Sequence, residues 1–322
     1  MIYYNFYIKV ITFGKGKFVA LGDGSLHTSS NGEIWVTKSD PGKTYLNNDW
    51  KVLVYENNMF LVLGKGESGN GWVSMVSTDA INWTISTNIA HEDYEIEDVA
   101  YGNGKFVAVT SRSGSSTDFV LTSVDGITWE GQDALSDANY QTYYSVAFGN
   151  NKFVAVGGGP MSPPFIMTSP DGVNWTQHDV GRSTTFKQVV FAQGQFVALG
   201  GNGPVRISTD GVTWTSHNHN TTKSWNRLRY GGGKYIASTG NSGDGEIMTS
   251  TNGVSWTTRG INRQLGDFTY GDNIFVGGSD PLADVAMILN YTIPGGLYYD
   301  DQRLLNYNDY YEIIARLEAL GG

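Results

Sequence analysis

The chain has 322 residues but no cysteine, only 8 prolines and no run of 18 apolar residues. Without cysteine there is no disulfide scaffold, no thiolate nucleophile and no Cys-ligated zinc or iron–sulfur centre. Without a long apolar run there is no candidate membrane-spanning helix, so membrane insertion is not expected. Positive charge is also scarce. The 21 Lys+Arg face 31 Asp+Glu, a formal charge of −10, and that field repels phosphate backbones, which argues against nucleic acid as a partner. The N-terminal MIYYNFYIKVITF carries neither a basic leader nor a small-residue cleavage site, so the reading is a soluble protein without a conventional signal peptide.

What the chain has in quantity is glycine, at 42 residues, and aromatic side chains, at 13%. Both fall into a repeat. Seven segments share one pattern, among them VITFGKGKFVALG from Val10, DVAYGNGKFVAVT from Asp98 and SVAFGNNKFVAVG from Ser145. Their second aromatics are Phe18, Phe60, Phe106, Phe153, Phe196, Tyr235 and Phe275, spaced by 39 to 47 residues. Each segment reads as strand, tight Gly/Asn turn, strand. A second motif follows six of them: Ser-x-Asp/Asn-Gly-x-x-Trp, with Asn31 and Trp35, Asp79 and Trp83, Asp125 and Trp129, Asp171 and Trp175, Asp210 and Trp214, and Asn252 and Trp256. In that turn the Asp or Asn accepts backbone hydrogen bonds, the glycine supplies positive φ, and the Trp opens the outgoing strand. Ala80 replaces the glycine in one copy, which predicts strain there.

Four strands per unit of about 43 residues point to an all-β, seven-bladed β-propeller of four-stranded antiparallel blades. The expected boundaries are a propeller over 1–297 and a tail over 298–322. Within the tail, Asn308–Leu320 (NDYYEIIARLEAL) carries capping residues and helical spacing, predicting a short C-terminal helix.

The repeat also separates two faces. Turns between strands one and two, and between three and four, are short and alike, whereas loops between strands two and three and between units are long and varied. Variation gathered on one face of a rigid scaffold marks a recognition surface. On that face Trp72 is the leading candidate for stacking on a ligand, with Tyr45, Tyr94, Tyr140 and Phe165 as further candidates. Trp50 and Trp225 fall in a column that elsewhere holds Ile8, Ile96, Tyr143, Phe186 and Leu265, so they read as core. The acidic group Glu92, Asp93, Glu95, Glu97 and Asp98 is read as a solvated loop; Glu92, Asp93 and Glu95 would be the ligands if it bound Ca²⁺. His217 and His219 could flank a metal but are read as incidental neighbours. No cofactor is expected.

The Ser-x-Asp-Gly-x-x-Trp turns resemble the Asp-box of sialidases and other BNR-repeat propellers, shortened by one residue between Asp and Gly. The combined repeat also resembles proteins of bacterial and bacteriophage genomes, including virion and tail-associated proteins. The first resemblance implies architecture rather than chemistry, and the arginine pattern that sialidases carry before their first blade is missing. The second implies a virion or extracellular location. Together they predict a non-catalytic binding or structural propeller that recognises a host-surface glycan or another virion protein. A glycoside hydrolase working on the long-loop face is the first alternative. The second is an assembly factor that grips a protein partner through its C-terminal tail.

Overall fold

The computed structural model describes residues 8–22, 24–39, 41–42, 46–66, 71–87, 89, 94–112, 119–133, 142–159, 162–178, 180, 185–219, 221–239, 245–261, 265–279 and 287–290. These form strands joined by turns. Blade 1 comprises β1 (Val10–Gly14), β2 (Lys17–Gly22), β3 (Ser25–Ser29) and β4 (Val36–Ser39); blade 2 comprises β5 (Leu46–Glu56), β6 (Met59–Gly66), β7 (Trp72–Ser77) and β8 (Thr84–Ser86). Blade 3 holds β9 (Tyr94–Gly102), β10 (Lys105–Arg112), β11 (Phe119–Ser123) and β12 (Glu130–Asp133); blade 4 holds β13 (Tyr143–Gly149), β14 (Lys152–Gly159), β15 (Ser162–Ser169) and β16 (Thr176–His178). Blade 5 holds β17 (Gln188–Ala192), β18 (Gln195–Leu199), β19 (Val205–Ser208) and β20 (Thr215–His217); blade 6 holds β21 (Arg227–Gly231), β22 (Lys234–Ser238), β23 (Gly245–Ser250) and β24 (Thr257–Ile261). The last sheet comprises β25 (Leu265–Gly271), β26 (Ile274–Ser279) and β27 (Met287–Asn290). Every sheet is an antiparallel meander in chain order.

The expectation of seven four-stranded blades with a helical tail is corrected by this topology. Six sheets have four strands, the last has three among the described residues, and no helix occurs among them. The physical reason is visible in the sequence after β27. The six complete blades each turn into their fourth strand through a serine, an Asp or Asn, and a Trp, whereas TIPGG follows Tyr291. The segment Asn308–Leu320 and the boundary at 297 lie outside the described residues.

The hairpins form where the sequence supplies residues that tolerate positive φ. Lys15 and Gly16 (φ 50 and 72), Asn57 and Asn58 (51 and 59), and Asn150 and Asn151 (47 and 59) each place two successive residues in the left-handed region. That is the two-residue turn whose twist matches the flanking strands. It sets the register that pairs Phe13 with Phe18, Tyr101 with Phe106 and Phe148 with Phe153, with ring centroids 4.7–4.8 Å apart.

The first strand of each sheet faces the axis, and each packs beside the next, from β1 through β5, β9, β13, β17, β21 and β25 back to β1. Glycine at the end of one first strand receives the aromatic of the next. A Cβ on Gly14 would lie 2.0 Å from Cγ of Tyr55, one on Gly149 2.1 Å from Cγ of Phe191, and one on Gly271 2.0 Å from Cγ of Phe13. The last contact joins the last sheet to blade 1 and closes the ring. The core is therefore a set of slabs between sheets. Val10, Val19 and Leu21 of blade 1 pack with Trp50, Phe60 and Met75 of blade 2, and the other neighbouring sheets meet in the same way.

The serine-led turns lock the outer ends of these slabs. In blade 4 the Gly172 N–H donates to Ser169 Oγ at 2.8 Å, and the Val173 and Asn174 N–H groups donate to Asp171 Oδ1 at 2.9 and 2.8 Å. Trp175 Nε1 then donates to the Gly172 carbonyl at 3.1 Å. Gly172 itself lies against the preceding blade, where a Cβ would be 2.4 Å from Cγ2 of Val107. Ala80 adopts the same left-handed backbone (φ 58) with its side chain fully buried, as the sequence predicts for a strained copy.

Candidate functional site

The inner strands begin on the long-loop face, so the residues just ahead of each first-strand aromatic ring the mouth of the axial channel. Four positions before that aromatic stand Lys9, Lys51, Glu97, Tyr144, Lys187, Asn226 and Gly266. The structure joins several of them into a chain of charges. Lys9 Nζ lies 2.7 Å from Asp49 Oδ1, Lys51 Nζ lies 3.9 Å from the same oxygen and 3.8 Å from Glu95 Oε2, and Lys65 donates to Glu95 Oε1. Glu95 Oε2 is buried and has no hydrogen-bond partner. Beside this chain Glu97 accepts from the Ser111 hydroxyl. Burial pushes the Glu97 carboxyl up from its ordinary value, against the lowering pull of Ser111 and Lys51. Further round, Lys187 Nζ stands 3.4 Å above the ring of Tyr144, a cation–π contact.

One position deeper, side chains of the inner strands cap the N–H groups of the neighbouring inner strand. Asp98 Oδ2 accepts from the Ser145 hydroxyl at 2.6 Å and the Val146 N–H at 3.2 Å. Ser145 Oγ accepts from the Val189 N–H at 3.2 Å, and Gln188 Oε1 from the Leu228 N–H at 3.2 Å. Asp267 Oδ2 accepts from the Ile11 N–H at 3.0 Å, while its Oδ1 takes Arg229 at 2.7 Å. Inner strands are sheet edges with unpaired donors, and this relay satisfies them. Burial also raises the Asp98 carboxyl, opposed by the Ser145 hydrogen bond and the Arg229 charge. The carboxylates of the channel are thus engaged as acceptors from the fold itself, and a nucleophile held by a general base is not seen among the described residues.

The sequence candidates are distributed differently. Trp72 and Phe165 are 0% and 1% exposed. Trp72 packs with Leu63 and Ile96, and Phe165 meets Tyr143 edge-on at 5.1 Å. Both rings are committed to slabs between blades. Tyr94 is placed only as the first residue of β9; Tyr45, Tyr140, Glu92 and Asp93 lie outside the described residues. Glu95, the remaining Ca²⁺ candidate, is held by lysines, and no group of three His, Cys, Asp or Glu suited to a metal occurs among the described residues. His217 bonds the Thr215 hydroxyl and His219 the Gly203 carbonyl, so the two histidines do not converge. Trp50 and Trp225 are fully buried, as their column predicts.

Sequence reading missed the lysines of the mouth and Arg229. A signal was present, because the column four residues before the aromatic is charged in Lys9, Lys51, Glu97 and Lys187. It was hidden by treating the acidic group around Glu95 as one loop, when the partners of Glu95 are two lysines of the neighbouring blade, Lys51 and Lys65.

Residues 125–269 match the family model described as the DUF6242 beta propeller domain. No curated protein matches the sequence. Among solved structures, the WD40 beta propeller domain of Doa1 is similar with a TM-score of 0.64 at 12% identity, covering 93% of this chain and 95% of that one. The Hadza microbial sialidase Hz136 is similar at 0.52 and 14% identity, over 84% and 72%. YCF48 bound to D1 peptide is similar at 0.50 and 16% identity, over 64% and 69%. Among the described residues no helix is long and apolar enough to cross a membrane. Blade architecture, family match and structural likenesses agree that this chain folds as a β-propeller.

Proposed function

We propose that this chain is a non-catalytic binding propeller that takes a polypeptide partner at the mouth of its channel on the long-loop face. The observation that carries the reading is the chain of alternating charges from Lys9 through Asp49, Lys51 and Glu95 to Lys65. Such a rim pairs with a partner's charges by exchanging its own ion pairs, which favours selectivity over raw affinity. The channel carboxylates support the absence of catalysis, since Asp98 and Asp267 already accept backbone and side-chain donors. YCF48 has been solved with a peptide bound, which illustrates that a propeller of this general shape accommodates one. The phage resemblance of the repeats makes another virion protein the natural form of that partner, with a host-surface glycan as its rival.

The test is selection of a displayed random-peptide library on the immobilised chain, run beside a glycan array. Enriched peptides whose binding weakens with added salt and is lost in Lys9→Glu/Lys51→Glu support the proposal. Glycan binding without peptide enrichment overturns it.

A further inference from the structure

Every large apolar side chain that the described residues expose lies on the short-turn face, opposite the charged mouth: Ile34, Val36, Ile81, Val124, Val212 and Val254. Blade 1 stands apart within this set. Ile34 occupies the position just before the motif Trp, which the other blades fill with Asn82, Thr128, Asn174, Thr213 and Ser255. Val36 occupies the position just after it, filled elsewhere by Thr84, Glu130, Thr176, Thr215 and Thr257. Two columns that are polar in all the other copies are therefore apolar here, at 59% and 55% exposure. Flanking the inward Trp35, the two side chains share the outer side of the chain.

The turn does not require them, and their neighbour suggests what does. Gly32 of the same turn lies on the last sheet, where a Cβ would be 2.7 Å from Cγ2 of Val276 and 3.1 Å from Cδ1 of Ile274. Ile274 pairs with Asn290 in the register of β26 and β27. Third strands run toward the short-turn face, so the chain beyond Asn290 starts beside blade 1. It continues for a further 32 residues, 291–322, that include Leu304, Leu305, Tyr311, Ile314, Leu317 and Leu320. At up to about 3.3 Å per residue, even its first few residues span the gap to a neighbouring turn.

We infer that residues 291–322 dock on the Ile34–Val36 patch of blade 1, where the chain's own C-terminal segment covers apolar side chains at two positions that are polar in every other copy. The occupant is intramolecular; a second copy of the chain is the competing outcome. The patch is an apolar surface of the kind that marks a contact site, and its placement beside the exit of β27 selects the nearest apolar segment.

Limited trypsin digestion of the full chain, read by mass spectrometry, tests this, because Arg303 and Arg316 are the cleavage sites within 291–322. Cleavage there tracks how often the segment is released. Ile34→Asp/Val36→Asp is expected to speed cleavage at both sites about tenfold, with Val124→Asp on blade 3 as a control that leaves the rate unchanged. All these positions are exposed, and a thermal melt confirms that each variant folds. Three results overturn the inference: a wild-type chain cut as fast as the double variant, an equal effect of Val124→Asp, or a wild-type dimer by light scattering that the double variant dissociates with cleavage unchanged.

Discussion

The two faces of this propeller are built on opposite principles. On the short-turn face the glycine or alanine N–H donates to the motif serine at 2.8 Å in each of the six blades. Two further N–H groups fall on the Asp or Asn Oδ1 each time, at 2.7 to 3.0 Å. At the channel mouth the equivalent column holds lysine, glutamate, tyrosine, asparagine and glycine. Where atoms repeat, the fold demands them, because the same tight turn presents the same backbone donors in every copy, the one to the serine buried each time. Where they differ, the fold is indifferent, and the differences are free to serve a partner. Substitutions on the first face should cost stability, and those at the mouth should cost binding.

The sharpest test of the first half is the seam between blades. Gly149→Leu drives a side chain into the ring of Phe191, whose Cγ would lie 2.1 Å from even a Cβ. The loss is expected to exceed about 4 kcal/mol in urea unfolding. If the variant unfolds at the wild-type midpoint, blade contacts do not hold the ring.

Next in size is a reciprocal exchange within the serine-led turns. Gly172→Ala meets Cγ2 of Val107 at 2.4 Å from a left-handed backbone, and should cost about 2–3 kcal/mol from steric overlap and φ strain together. Ala80→Gly reverses the same chemistry in blade 2. Relief of φ strain, about 1 kcal/mol, is offset by the loss of a buried methyl and by added unfolded-chain freedom, so stability should stay within about 0.5 kcal/mol of wild type. A large loss there would show that blade 2 relies on the Ala80 methyl.

Acid separates the turns more finely. Backbone N–H donors lower the carboxyls of Asp79 and Asp210 first, with the Thr128 N–H leading at Asp125; at Asp171 the same donors outweigh burial, which raises. A lowered folded-state pKa gives stability that is present above the unfolded value of about 4 and is lost as pH falls through the folded value. Asn31 and Asn252 make the same turn with a neutral amide and contribute nothing to that slope. Asp98 and Glu97, raised by burial, act in the opposite sense, giving stability at low pH that is lost as pH rises through their folded values. Replacing Asp79, Asp125, Asp171 and Asp210 with Asn should therefore flatten the fall in melting temperature below about pH 4. An unchanged acid slope would place the sensitive groups elsewhere.

Much of the fold could be read from the residues because repetition multiplies weak signals. A single SPDGVNW is an ordinary turn, but six such turns in step with seven Gly/Asn hairpins fix strand order, register and the burial of Trp50 and Trp225. The same reasoning failed where the repeat stops, in the last sheet, since extrapolating the period supplied a fourth strand that the described residues do not contain. It also failed for Trp72. A tryptophan after a Gly-rich loop reads as a platform for ligands, but its place as the first residue of β7 turns the ring into the slab against blade 3. The channel mouth was the least legible region, because most of its ion pairs join neighbouring blades. Lys9 and Asp49 are 40 residues apart in sequence, and only the packing of blade 1 against blade 2 brings them to 2.7 Å.

The smallest expected effect on stability bears most directly on function. Lys51 shares Asp49 and Glu95 at 3.9 and 3.8 Å, and its side chain is 37% exposed. Part-exposed pairs of this length contribute about 0–1 kcal/mol, so Lys51→Ala should leave the urea midpoint almost unchanged. The substitution nevertheless takes a cation from between two carboxylates at the channel mouth, so the local potential turns more negative. Peptides selected on the wild-type chain should then dissociate faster if they present an acid to Lys51, and bind more tightly if they present a lysine to Glu95. Surface plasmon resonance at two salt concentrations separates these cases, since both shifts shrink as the salt rises. A stability loss as large as that of Gly172→Ala, with peptide binding unaltered, would erase the division of labour between the two faces and make the charged ring a second structural seam.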